Sequence, residues 1–311
     1  MELRNISKVF VKVTTRYKTR IKAVDDISLE IMEGKNIGII GESGSGKTTL
    51  GKIMVKLLEP DKGEIYYKNK EITYVKRNKI MDFKKEVQMI FQDPYSSLDP
   101  RMKIGDQIRD FIKLGGNEPS DELILKYLSM VNLSEDILNK RPIEISGGQR
   151  QRVAIAKVLT LNPRLIVADE PVSALDASIR SQVITTLQNL ASKSNITFVY
   201  ITHDISTLPF VVELINVMYR GKIVETGNIN EIIKDSYHPY TRALLEAVPD
   251  INNPNKNLNI AIRGIEDENI TREGGCVFYD RCPYAKPICE KEVPLLKEIK
   301  NSHKVACHLY G

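Results

Sequence analysis

The sequence predicts an α/β fold built on a mixed, mostly parallel sheet, and three observations predict it. Short apolar runs at 37–40, 87–91, 165–169 and 197–202 read as buried strands, interleaved with segments whose apolar residues recur at helical spacing. A glycine-rich stretch, 41 to 48, sits where one of those strands hands over to a helix. Residues 1 to 35 and 62 to 75 alternate in short runs and suit a separate antiparallel layer. With 311 residues, 42% of them hydrophobic, the chain can bury a substantial core, as one large domain with an appendage or as two modest domains.

Composition removes several classes of function. The net charge is only +5, from 45 basic and 40 acidic residues. Basic residues gather only in short runs such as Lys76, Arg77 and Lys79, which speaks for solvated surface and against a nucleic-acid face. The opening MELRNISKVF has charges where a secretory signal needs an apolar core, and no run reaches the roughly 18 apolar residues that span a bilayer. A cytosolic chain is the expectation.

The first element with chemistry is the strand 37–40 with the loop and helix at its end. Gly41, Glu42, Ser43, Gly44, Ser45, Gly46, Lys47 and Thr48 fit G-x-x-x-x-G-K-[ST], with Thr49 next, and Leu50, Ile53, Met54, Leu57 and Leu58 mark a helix face beyond. Glycines there let backbone N–H groups curl around phosphate oxygens and aim at a helix N-terminus. Lys47 is placed to reach β- and γ-phosphates and Thr48 to ligate Mg²⁺. The turn-rich QDPYSSLDPRM, with Pro94 and Pro100, reads as a joint, and helical patterns come after it around 104–114 and 121–130.

ISGGQRQRVAIAKVL, 145 to 159, starts a second helix at Ser146, Gly147 and Gly148, where bare N–H groups and the positive dipole end favour an anion. One nucleotide in one chain has no use for two such helix starts, but two chains facing head to tail would. RLIVADEP, 164 to 171, then gives an apolar strand closed by two carboxylates and stopped by Pro171. Asp169 is placed to hold Mg²⁺ through water. Glu170, one step along the strand and so on its opposite face, is placed to orient and deprotonate a water.

The tail poses a separate question. INNPNKNLNI, 251 to 260, reads as a linker, and beyond it all four cysteines of the chain come as C-x5-C-x6-C-x17-C through Cys276, Cys282, Cys289 and Cys307. A reducing compartment argues against disulfides. Close pairs typical of zinc are missing and neither common ferredoxin spacing fits, so spacing leaves zinc, an iron–sulfur cluster and unliganded thiols open. His303 and His308 could stand in for a cysteine at zinc.

The motifs taken together resemble the nucleotide-binding subunit of ATP-binding-cassette (ABC) proteins. In the family's order they are Walker A at 41–48, Gln92 of the Q-loop in FQDP, the signature at 145–149, Walker B at 165–170, the D-loop SALD at 173–176, and His203 in YITHD. The resemblance implies an ABC ATPase domain over 1–245, with a helical subdomain at about 93–160, and an extension over 246–311. It implies that Gln92 joins Thr48 and Asp169 at Mg²⁺ and that His203 holds the γ-phosphate in cis. Ser146, Gly147, Gly148 and Gln149 would close on the ATP of the opposite subunit, with Asp176 crossing the interface. Adenine would stack on an aromatic near the N-terminus, Phe10 by spacing, with Tyr17 in the insertion 11–20 as the rival.

HPYTRALLEAVP, 238 to 249, together with MIFQDPYSSLDPRM, is similar to the oligopeptide/dipeptide importer branch, which also holds nickel and oligosaccharide importers. This implies an ATPase coupled to transport at the cytoplasmic face of the membrane, as a peripheral subunit. Its partners would be a second ABC ATPase subunit, identical or related, two transmembrane permease subunits and an extracytoplasmic solute-binding protein. The branch also implies a [4Fe-4S] cluster on Cys276, Cys282, Cys289 and Cys307, with zinc as the alternative. A soluble ABC ATPase acting on DNA or ribosomes is the rival reading. Lys47 and Ser146 are only 99 residues apart, which leaves no room for a long coiled coil, and one cassette is present where ribosome-acting types carry two.

Overall fold

The computed structural model describes residues 1–13, 18–76, 79–173, 175–247, 274–300 and 302–310. Tyr17, Arg77, Ala174, Val248 and the stretch 251–260 lie outside the described residues.

The chain opens with a long hairpin, β1 (Glu2–Val13) and β2 (Lys18–Glu30), where the alternation predicts short strands. Register shifts near Ile6 and Lys8, with Asn5 and Asp26 at positive φ, bend the pair without ending it. Local alternation is broken at such bulges, so one strand reads as several. Leu3, Ile6, Val24 and Ile27 all face inward and are buried.

β3 (Ile37–Ile40) runs into the glycine-rich loop and α1 (Lys47–Met54). β4 (Lys62–Tyr67) and β5 (Lys70–Glu71) complete a four-stranded antiparallel layer of order β2-β1-β4-β5. α2 (Met81–Glu86) leads into β6 (Val87–Ile90). Three helices then form a block. In α3 (Ile104–Gly115) the buried Ile104, Ile108 and Ile112 fall at i, i+4 spacing, and left-handed Gly116 ends the helix. α4 (Asp121–Met130) starts at Ser120, whose hydroxyl accepts from the Leu123 N–H at 3.2 Å. α5 (Gly147–Leu159) carries the signature at its N-terminus.

The remaining elements are β7 (Leu165–Asp169), α6 (Ala177–Lys193), β8 (Thr197–Thr202), β9 (Leu214–Tyr219), β10 (Lys222–Asn228), α7 (Ile229–Lys234), α8 (Pro239–Glu246), α9 (Pro287–Lys291), β11 (Lys297–Lys300) and β12 (His303–Val305). The main sheet has eight strands in the order β11-β12-β10-β9-β3-β8-β7-β6. β9, β3, β8, β7 and β6 are parallel, and β10, β12 and β11 continue antiparallel.

Both faces of the parallel part are covered, so its central strands β3, β7 and β8 are buried throughout and lack polar alternation. Val167, Val199 and Ile201 face α1 and the antiparallel layer. Ile166, Ala168, Phe198 and Tyr200 face α5, α6 and the helical block. Each such aliphatic side chain, fully removed from water, contributes about 1.5–3 kcal/mol before entropy is counted. The extension does not hang free: β12 pairs with β10 through Glu225–Val305 and Thr226–Lys304, so the main sheet is finished by the end of the chain.

Candidate functional site

Strand β3 ends at Ile40, and the loop turns sharply into α1. Gly46 sits at φ 102°, and a Cβ there would lie 1.9 Å from the Ala23 carbonyl, so the turn demands glycine. Lys47, 5% exposed, folds back over the loop and donates to the Gly41 and Glu42 carbonyls at 2.8 and 2.7 Å and to Ser45 Oγ at 3.4 Å. Burial lowers its pKa, against the pull of Glu170, Asp169 and Glu42. The ammonium is thus held by neutral oxygens at the place where an anion would satisfy it.

Thr48, in the first turn at the positive end of α1, donates its hydroxyl to Asp169 Oδ1 at 3.0 Å. Asp169 is 3% exposed and burial raises its pKa, with Thr48 opposing. A buried carboxylate beside a hydroxyl and a lysine-lined loop is a hard-oxygen donor set, which suits Mg²⁺.

Glu170 reaches the same place by a route that strand alternation does not give. β7 stops at Asp169, and Glu170 takes a left-handed turn at φ 45°, with its N–H donating to the Ile201 carbonyl at 2.8 Å. That turn, rather than an opposite strand face, aims its carboxylate. Gln92 Nε2 donates to one oxygen at 3.0 Å, and His203 Nδ1 lies 2.9 Å from the other. Glu170 is therefore oriented from two sides, by residues just beyond the ends of β6 and β8. Below His203, Asp204 pairs with Arg180 of α6 at 3.2 Å.

A cavity of about 670 Å³ joins these groups. Its walls include Phe10, Lys47, Thr48, Gln92, Glu170 and His203, together with Ser43, Gly44, Gly46 and Thr49. The volume is of the size that holds a cofactor-sized ligand. Phe10, 42% exposed, stands at this cavity with its ring open to stacking, whereas its rival Tyr17 is not described. Sequence reasoning missed two further wall residues, Ala23 and Leu244, because small and aliphatic side chains carry no chemical signature.

The signature residues lie elsewhere. Ser146 and Gln149 form a reciprocal capping box, Ser146 Oγ accepting from Gln149 N–H at 3.2 Å and Gln149 Oε1 from Ser146 N–H at 2.9 Å. Among the described residues, Ser146, Gly147, Gly148 and Gln149 are not part of the wall around Lys47. Asp176 begins α6, exposed and without a side-chain cap bond.

In the extension, Cys276, Cys282 and Cys289 are buried and Cys307 is partly so. The Cys276 N–H donates to the Cys289 carbonyl at 2.7 Å, which ties the first and third segments together. The thiols are near enough to feel one another's charge. Burial, with that mutual repulsion behind it, pushes Cys276 up to about 12 and Cys307 to about 11. Such resistance to ionisation is what a bound cation would reverse. Among the described residues, no three His, Cys, Asp or Glu side chains close around a single ion. The two histidines do not substitute: His303 Nε2 is 2.7 Å from buried Glu225, and His308 Nε2 is 2.9 Å from the Glu292 carbonyl.

A phosphate loop, a carboxylate and hydroxyl set for Mg²⁺ and a clamped glutamate define a P-loop nucleoside-triphosphatase, one with a second glycine-rich helix start that is not part of the wall of this site. Residues 24–173 match the family model described as ABC transporter, and residues 224–289 that described as oligopeptide/dipeptide transporter, C-terminal region. The chain is 40% identical over 324 residues to the oligopeptide transport ATP-binding protein AppF of Bacillus subtilis (strain 168), covering 100% of this chain and 97% of that one. It is 43% identical over 254 residues to the oligopeptide transport ATP-binding protein OppF of Streptococcus mutans, with 80% and 82% covered. The ATP-binding cassette MJ0796, solved as a dimer bound to ADP and Pi, superposes with a TM-score of 0.65 at 30% identity, over 73% of this chain and 98% of that one. This chain belongs to the ABC transporter ATP-binding family, and it carries the C-terminal region of that family's oligopeptide/dipeptide branch.

Proposed function

We propose that this ATPase energises uptake of oligopeptides or dipeptides through a membrane ABC importer. The observation that carries the reading is the oligopeptide/dipeptide C-terminal region, residues 224–289, which begins in β10 of the main sheet and packs its Phe278 against Tyr219 and Tyr240. Oligosaccharide and nickel are the other solutes of the branch.

The geometry supports a role for each residue. Lys47 exchanges its carbonyl partners for β- and γ-phosphate oxygens, and loop N–H groups surround them. Thr48, Asp169 and Gln92 would hold Mg²⁺, which when bound neutralises charge on the phosphate oxygens. Glu170, held by Gln92 and His203, orients a water in line with the γ-phosphorus and accepts its proton. The water oxygen bonds to phosphorus as the bridging oxygen leaves with ADP. During this attack His203 would hold the γ-phosphate in cis, and Phe10 stacks on adenine.

The signature residues are not part of the wall of the chain's own cavity, which supports a role at a second subunit's nucleotide. Ser146, Gly147, Gly148 and Gln149 close over that ATP, and Asp176 crosses the joint. The second ATPase subunit and two permeases complete the machine, supplied by a solute-binding protein outside. Among the described residues no helix is long and apolar enough to cross a membrane, which suits a peripheral subunit on the cytoplasmic side. In the extension, Cys276, Cys282, Cys289 and Cys307 hold a [4Fe-4S] cluster as a structural staple. What supports a shared role for the four cysteines is that three are buried, the fourth is partly so, and they lie near enough to raise one another's pKa.

Reconstitution tests the whole reading. The chain, co-expressed with its neighbouring permeases, should drive ATP-dependent accumulation of labelled peptide in vesicles. Accumulation of an oligosaccharide or of nickel in place of peptide reassigns the solute, and recovery with ribosomes in place of permeases overturns the importer. Anaerobically purified protein should be brown with about four irons per chain; colourless protein with one zinc refutes the cluster.

A further inference from the structure

The structure assigns Arg281 as a positioning residue for the nucleotide loop, acting through Glu42. Arg281 closes the turn Tyr279–Arg281 and directly precedes Cys282. Its guanidinium meets both oxygens of Glu42, Nη1 to Oε2 at 2.7 Å and Nη2 to Oε1 at 3.1 Å. This two-point geometry fixes direction as well as charge. The side chains are 12% and 26% exposed, so the pair is largely out of water.

Glu42 is gripped at all its polar groups. Its N–H donates to Tyr240 Oη at 2.7 Å, and its carbonyl accepts from Lys47 Nζ at 2.7 Å. Arg281 also reaches Tyr219 Oη at 3.3 Å and lies 5.7 and 5.9 Å from the Tyr219 and Phe278 ring centres. Tyr219, Tyr240 and Phe278 interlock with centroids 4.6, 5.2 and 5.5 Å apart. One rigid aromatic block therefore joins the cysteine segment, α8 and the phosphate loop.

Nucleotide binding is affected in two ways. Arg281 fixes the peptide whose carbonyl holds Lys47, and so the pose of the lysine before phosphate arrives. It also neutralises a carboxylate in the wall of a cavity meant for a polyanion, where an unpaired negative charge would repel the ligand. Neither role is part of the motif that marks the loop, since 239 residues separate the partners.

The inference rests on residues 41–48 binding nucleotide, and its test reads affinity apart from hydrolysis and transport. Full-length chain is titrated with a non-hydrolysable ATP analogue and Mg²⁺ in four forms: unchanged, Arg281→Ala, Glu42→Gln, and both together. Arg281→Ala should weaken affinity about fivefold or more, the lower range of coupling between sites. In the Glu42→Gln background the same change should matter less than about twofold, because the charge it answers is gone. Arg281→Lys, which keeps charge but not the two-point contact, should fall between. Equal loss in both backgrounds, or unchanged affinity, overturns the assignment while leaving the ATPase reading intact; no binding by the unchanged chain overturns both. If Arg281→Ala does not fold by circular dichroism, Arg281→Lys in the two backgrounds decides by the same criterion.

Discussion

The starts of α1 and α5 are chemically alike and structurally opposite. Each is a glycine-flanked helix N-terminus offering bare N–H groups to an anion. At α1 the surroundings complete the site within the chain: Lys47 folds in, Asp169 meets Thr48, and Glu170 stands across the cavity. At α5 the helix caps itself through Ser146 and Gln149. A helix terminus is therefore only half of an anion site: at α1 the chain's own neighbours supply the other half, and at α5 the wall of that cavity does not.

That contrast can be broken by substitution, and the largest effect is expected where the cradle meets the water. Glu170→Gln should cut turnover by about 10²-fold or more while ATP still binds, because proton acceptance is lost but the cradle is kept. Steady-state hydrolysis beside equilibrium binding checks this, and unchanged turnover removes Glu170 from its role. Lys47→Ala should weaken ATP binding by a single chain about tenfold or more, since a charged hydrogen-bonding group is deleted from a buried position. Retained affinity would mean that the loop is not the cradle.

Ser146→Ala sharpens the comparison from the other side. It should cost about 1 kcal/mol of helix capping and slow hydrolysis, yet leave single-chain ATP affinity unchanged. If affinity falls with it, α5 serves its own chain and the contrast between the two helix starts is false.

The last effect is read in stability, not in turnover or affinity, and concerns the block that supports the cradle. His238 is fully buried beside Phe278, accepts from Tyr240 N–H at 3.1 Å, and burial lowers its pKa to about 3. The unfolded chain, with an ordinary histidine pKa near 6.5, binds more protons below that value. Stability should therefore fall as pH drops from 6.5 toward 3, by up to about 1.4 kcal/mol per pH unit from this group. Denaturant midpoints at pH 7 and pH 5 should differ less in His238→Asn, which keeps a cap acceptor; equal slopes would discount His238.

Much of this is legible in the residues. Apolar runs bound four of the five parallel strands, at 37–40, 87–91, 165–169 and 197–202, and the structure shortens only the second of these, by one residue. Runs that are mostly apolar, with polar side chains only at Gln88, Asp169, Thr197 and Thr202, leave little freedom in such strands. The N-terminal hairpin is harder to read, because its bulges at Asn5 and Asp26 reset the alternation that a strand reading depends on. Strand alternation puts Glu170 in the site for the wrong geometric reason, since a positive φ at a glutamate leaves no mark in composition.

By itself the sequence determined what is local: the glycine turn into α1, the helix start of α5 at Ser146, the periodicity of α3 and α4, and the chemistry available at 41–48 and 165–170. These arise between neighbours a few residues apart, whose backbone and side-chain preferences act whatever the rest of the chain does. Tertiary structure alone decided that β12 joins the main sheet beside β10, that Gln92 and His203 share one carboxylate, and that Arg281 beside the cysteines holds Glu42 of the phosphate loop. Those contacts join segments from 33 to 239 residues apart. They form because the packed core brings complementary groups together, and no preference between sequence neighbours encodes that meeting.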